Sequence, residues 1–249
     1  MSSVALRPLA IPNEHGGWGF LLEPVVLAIA VAPSRAGVAL ALALIAAFFL
    51  RHPLRLAARD FLMRKRYPRT MACANLALAY GSAAALCFAL AVSWSSVAIA
   101  VPFLVAAPFL ALQFFYDVRN RGRELTAELC GAIAAAAGGA ACVLAGGGGT
   151  LLAIAIATLA ITRSVPSILY VRSLLRGSAA MPAVLAHALA VVAAFIVAPM
   201  AIVVSVVLLL RCLFARFRGA LTAKRVGMEE VAWGAIATIV WAIVLTSVA

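Results

Sequence analysis

Residues 181–210 read MPAVLAHALAVVAAFIVAPMAIVVSVVLLL, a stretch without one Asp, Glu, Lys or Arg. A membrane-crossing helix needs about 20 apolar residues, with a range of about 17 to 25. The stretch is therefore long for one crossing and short for two. Pro199 stands near its middle, where it removes a backbone donor and clashes with the preceding turn. Read as a hairpin, Met181–Val197 and Pro199–Leu210, it gives the chain nine spans. Read as one helix, it gives eight.

The surrounding sequence fixes the class. Of 249 residues, 66% are hydrophobic and 11% are charged. An ordinary soluble domain is about half apolar and about a quarter charged. The apolar excess would face water in a soluble fold, which excludes a soluble enzyme, a disordered chain and a disulfide scaffold. The expected fold is an all-α polytopic integral membrane protein, a single transmembrane domain over residues 1–249. The other expected spans are Gly17–Ala32, Gly37–Leu50, Met71–Val92, Val97–Tyr116, Leu125–Ala145, Leu151–Tyr170 and Glu230–Val248. The start carries one Arg, and Glu23 interrupts its first apolar run, so it does not read as a cleavable signal peptide.

Charge decides between eight and nine. With the N-terminus inside, nine spans leave inner loops at 51–70, 117–124, 171–180 and 211–229. Eighteen of the 20 Lys and Arg then lie on the inner side; Arg35 lies outside and Arg163 within a span. Eight spans would send the basic residues from Arg211 to Arg225 outward. The positive-inside rule favours nine spans, a cytoplasmic N-terminus and an outward C-terminus. The formal net charge of +12 is thus a topological signal and not a nucleic-acid footprint. Cys73, Cys87, Cys130, Cys142 and Cys212 form no paired motif and read as small packing residues. Gly131, Ala135 and Gly139, four apart, suit close helix packing.

Charges embedded among apolar helices are costly, so each is a functional candidate. Glu23 lies about two turns into the first span, behind the Gly- and Pro-rich run around His15. Either Glu23 pairs with a basic residue of a neighbouring helix and His15 caps a turn, or both line a cavity open to the cytoplasm. In the second inner loop, Pro53 is suited to start a new helix. That helix would be amphipathic and basic, lying at the membrane surface. Its arginines either attract anionic headgroups, or Arg51, His52, Arg55 and Arg59 converge on an anionic head, with Asp60 steering one of them.

In the third loop, Glu124 and Glu128 share a helix face, and Asp117 is placed to pair with Arg121. These acids either pin the loop through ion pairs or act as a carboxylate pair that holds a cation or takes a proton. Arg163 sits beside Pro166, Ser164 and Ser167 in the sixth span, as a binding-site wall or as the partner of Glu23 or Glu128. Arg172 follows on the inner end. His187, alone on an apolar helix, reads as packed and hydrogen-bonded.

The run Pro12-Asn13-Glu14-His15-Gly16-Gly17-Trp18-Gly19-Phe20-Leu21-Leu22-Glu23-Pro24 resembles the YwiC-like family of bacterial membrane proteins. So do Arg51-His52-Pro53-Leu54-Arg55, the segment from Tyr116 to Glu128, and Lys224 to Glu230. The resemblance extends over nearly the whole chain and implies a bacterial inner-membrane location. More distantly, the plan looks like the UbiA superfamily of intramembrane prenyltransferases. That similarity implies nine helices around a cavity for an isoprenoid diphosphate, held through magnesium by two Asp-rich motifs. Here the first position offers only Asp60 among arginines, and the second offers Arg172 and Arg176 with no acid. Mg2+ would lack both its motifs, and Arg would have to neutralise the anion directly.

Three functions follow from these residues. The first is binding of an isoprenoid or other lipid with an anionic head, with prenyltransferase-like chemistry in which Asp117, Glu124 or Glu128 serves as base or cation ligand. The second is a small transporter or flippase built around Glu23, Arg163 and broken helices. The third is an accessory role in a membrane complex.

Overall fold

The computed structural model describes residues 6–11, 17–65, 67–217, 219 and 221–248. Among them are ten α-helices and no strand. A single turn, α1 (Arg7–Ala10), is followed by α2 (Gly17–Val31), α3 (Arg35–Leu62), α4 (Pro68–Trp94) and α5 (Val101–Val118). Then come α6 (Leu125–Ala145), α7 (Thr150–Arg176), α8 (Met181–Val197), α9 (Ile202–Leu213) and α10 (Ala223–Val248). The helices α2 to α10 stand at the nine expected positions. Six helices are long and apolar enough to cross a membrane: α3, α4, α5 with the turn before it, α6, α7 and α10. The helices α2, α8 and α9 are apolar but shorter. The chain is thus an all-helical, multi-pass membrane protein.

The 181–210 stretch does break at its proline. Ala198 is extended (φ −153°, ψ 93°), Pro199–Ala201 forms a short 3₁₀ turn, and α9 packs back on α8. The indole of Trp241 on α10 donates to the carbonyl of Ala201 at 3.2 Å and ties this turn to the last helix.

Pro53 does not start a separate helix. It lies inside α3, which runs 28 residues without interruption. At 1.5 Å per residue that is about 42 Å, beyond the roughly 30 Å hydrocarbon core. A proline costs a helix one hydrogen bond. Here the partner helix compensates: α3 and α4 pack along their length, with Ala57 and Cys73 buried between them. Asp60, only 1% exposed, accepts from Arg69 at 3.1 Å and from Thr70 at 2.9 Å. The last turns of α3 are therefore held on α4 and are not laid flat on a membrane surface.

α6 is the hub, packed against α2, α3, α5 and α7. Of the small-residue stripe, Gly139 makes the close helix contact: a Cβ there would lie 2.7 Å from Pro24 Cβ and 2.9 Å from its carbonyl oxygen. Gly131 and Ala135 border a void, and at Gly131 a Cβ would also run into the Gln113 side chain of α5. The half that holds the 32–34 and 146–149 turns is solid, with Leu27, Leu40, Val143, Ile156 and Trp241 in one buried cluster. Ser34 also donates to the carbonyl of Ala145 at 3.2 Å, joining these two turns. Packing loosens toward the other half, where the charged residues enter. All five cysteines are free thiols, and four of them are buried.

Candidate functional site

The void in the half that carries the charged residues is a cavity of about 770 Å³. Its volume lies in the range of about 300–1,000 Å³ usual for small-molecule pockets. The wall is apolar: Phe20 from α2, Leu44 and Phe48 from α3, and Phe103, Leu110 and Phe114 around α5. Trp18 backs this wall, with ring centroids 4.7 Å from Phe48. Charged groups lie at two levels, a ring near the basic loops and a floor deeper among the helices.

The ring consists of Arg51, Asp117, Arg123, Glu128, Arg172 and Arg176. Arg51 clamps Asp117 with both arms of its fork, Nε to Oδ2 at 2.6 Å and Nη2 to Oδ1 at 2.9 Å. Asp117 is 1% exposed. The α5–α6 turn permits this: Asn120 takes a left-handed conformation (φ 58°), as a short polar side chain tolerates. Gly122 passes so close that a Cβ would run into the Asp117 carboxylate. Glu128 accepts from Arg172 at 2.8 Å and from Arg176 at 3.4 Å, residues one turn apart on α7. Both arginines also donate to the carbonyl of Arg123, at 3.2 and 2.9 Å. Among the described residues no carboxylate pairs with the Arg123 side chain. Among the described residues the ring holds four arginines and two acids, an excess of two positive charges.

The floor is built on Arg163, which is 2% exposed. Its Nη1 reaches Glu230 Oε2 at 3.1 Å, and its Nη2 donates to the Glu230 carbonyl at 2.7 Å. Arg211 and Ser167 donate to the same carboxylate. Arg211 also stacks over Tyr170, 4.3 Å from the ring centroid. The Arg163 Nε lies 3.7 Å from Glu23 Oε2 and makes no hydrogen bond. Two acids and two arginines leave the floor neutral. Arg163 and Arg172 are nine residues apart on α7, so floor and ring are separated by about 13 Å.

Six of the residues singled out in the sequence meet at this cavity: Glu23, Arg51, Asp117, Glu128, Arg163 and Arg172. Others stand elsewhere. His52 lies 3.2 Å from the Pro8 carbonyl, Arg55 lies 3.1 Å from His52 Nδ1, and Arg59 is outside the lining. Asp60 takes hydrogen bonds from Arg69 and Thr70, and Arg59 acts on it through charge alone. Arg121 pairs with Glu124 at an exposed corner and not with Asp117, which belongs to Arg51. Glu124 precedes the first turn of α6 and Glu128 turns into the cavity, so the two do not act as a carboxylate pair. His15 lies outside the described residues. Among the described residues no three of His, Cys, Asp and Glu gather as a metal-holding group. His187 is buried, and its Nδ1 donates to the Ala183 carbonyl at 2.8 Å.

Sequence reasoning left Glu230, Arg211, Arg123 and Arg176 out of the site. One signal pointed to Glu230. No carboxylate occurs between Leu129 and Met228, so a buried Arg163 or Arg211 must find its acid before or after that gap.

A family model described as YwiC-like protein matches residues 11–143, just over half of the chain and the part that supplies α2 to α6 up to Val143. No curated protein and no solved structure matches.

Proposed function

The chain belongs to the YwiC-like family, and from that premise we propose that it binds lipid inside the membrane. Its cavity opens toward the cytoplasm of a bacterial cell and takes an isoprenoid or other long-chain lipid by its anionic head. One observation carries this: a ring with two excess positive charges stands over an apolar, phenylalanine-lined void. Arginine forks match phosphate and carboxylate geometry. The head rests on Arg123, Arg172 and Arg176, and the chain runs along Phe20, Phe48 and Phe114. The basic inner loops support the cytoplasmic orientation of the mouth.

Binding is better supported than UbiA-like prenyl transfer. Of the four carboxylates that line the cavity among the described residues, Asp117, Glu128 and Glu230 are already hydrogen-bonded by an arginine, and Glu23 lies 3.7 Å from Arg163. A carrier that moves such a lipid is the second reading. It draws on the buried floor charges and on Pro24 and Pro166 inside the lining helices α2 and α7.

Native mass spectrometry of the gently purified protein tests the proposal. The expected result is a co-purified anionic lipid that is lost when Arg172 and Arg176 are both changed to Gln. A bare protein, or a lipid retained by that double variant, would count against it.

A further inference from the structure

The floor carries two polar groups without a hydrogen-bond partner among the described residues. Arg163 is buried, yet its Nε has no hydrogen-bond acceptor. The Glu23 carboxylate faces it at 3.7 Å and accepts no hydrogen bond among the described residues. Both line the cavity. Space is kept for the carboxylate: a Cβ at Gly234 on α10 would collide with it, and one at Gly19 would come within 3.2 Å of Oε1. A buried donor and a half-buried acceptor left open side by side form a site of definite chemistry.

The charge of that site selects its ligand. Glu23 and Glu230 balance Arg163 and Arg211. An added carboxylate or phosphate meets two acids there, and an added ammonium meets two arginines. A neutral group that donates to Glu23 and accepts from Arg163 Nε meets neither penalty. We propose that the cavity floor is a second polar subsite, for the hydroxyl end of a ligand, about 13 Å from the anion-binding ring. Ring and floor together select an elongated molecule with an anion at one end and a hydroxyl at the other. This pairing rests on the lipid-binding proposal above; the floor itself does not.

The probes are lauric acid, ω-hydroxylauric acid, dodecanedioic acid and dodecanol, each added to the full-length protein in detergent, with retention read by native mass spectrometry. The native protein is expected to hold ω-hydroxylaurate about tenfold more tightly than laurate, the effect of one further hydrogen-bonded pair. It is expected to hold the dicarboxylate less tightly than laurate. Glu23→Gln leaves one excess positive charge on the floor, so the dicarboxylate should overtake the hydroxy acid while laurate binding persists. Dodecanol reads the floor alone. Dodecanol retained with laurate unbound would sink the anionic-head proposal and leave the subsite standing. Equal retention of laurate and ω-hydroxylaurate, or no inversion in a Glu23→Gln protein that still binds laurate, would overturn the subsite. A water held there and never displaced gives that same equality.

Discussion

Glu230→Gln is the sharpest perturbation of the fold. The carboxylate receives Arg163 Nη1 at 3.1 Å and is also bonded by Arg211 and Ser167. Without its charge, two arginines share Glu23 alone, and that acid stands 3.7 Å from the nearest Arg163 nitrogen. Removing one partner of a buried ion pair costs about 3–5 kcal/mol. Gln keeps an acceptor oxygen, so the lower end, about 3 kcal/mol, is expected. At about 2–4 °C per kcal/mol for a chain of this size, the melting temperature falls by about 6–12 °C.

The buried thiols supply the assay. Cys73, Cys130, Cys142 and Cys212 react with a thiol-sensitive dye only as the helices separate. Adding Arg211→Gln restores charge balance and should recover part of the loss, a coupling that a double-mutant cycle isolates. Glu124→Gln, at the exposed Arg121 corner, should leave the melt unchanged. If Glu230→Gln melts with the native protein, the floor is not the buried electrostatic lock described here.

Three further outcomes are expected. Gly139→Val places a branched side chain where even a Cβ would sit 2.7 Å from Pro24, so α2 must leave α6, at a cost of about 1–3 kcal/mol in the same melt. Arg123→Gln removes a ring cation with no described carboxylate partner; laurate binding should weaken about tenfold with no change in melting temperature. In a cysteine-free background, single cysteines at Ser96 and Gly149 should label from outside intact cells, and one at Arg119 only after permeabilisation. The reverse pattern would invert the orientation.

Much of the helical plan was legible because the bilayer imposes it. Long apolar runs must be helices, so Leu125–Ala145 and Met181–Val197 carry the same bounds in sequence and structure. Pro199 marked its break correctly and Pro53 did not. Both remove a backbone donor, but only Pro53 lies where a neighbour, α4, grips the helix on its far side. Such a grip depends on Arg69 and Thr70, which periodicity within α3 does not reveal.

Site residues divide on the same line. Glu23 and Arg163 stood out because any charge at that depth needs a reason. Glu230 was hidden at the start of the last span, where an acid reads as an interface residue. Its partner Arg163 is 67 positions away. Glu124 and Glu128 share a helix face by spacing, yet Arg121 holds one and Arg172 the other.

A density map of the protein in lipid nanodiscs tests the central claim most directly. Elongated density should fill the cavity, with its head against Arg123, Arg172 and Arg176 and its tail beside Phe20 and Phe114. Helices closed over that space, or lipid confined to the outer faces of α4 and α5, would contradict it.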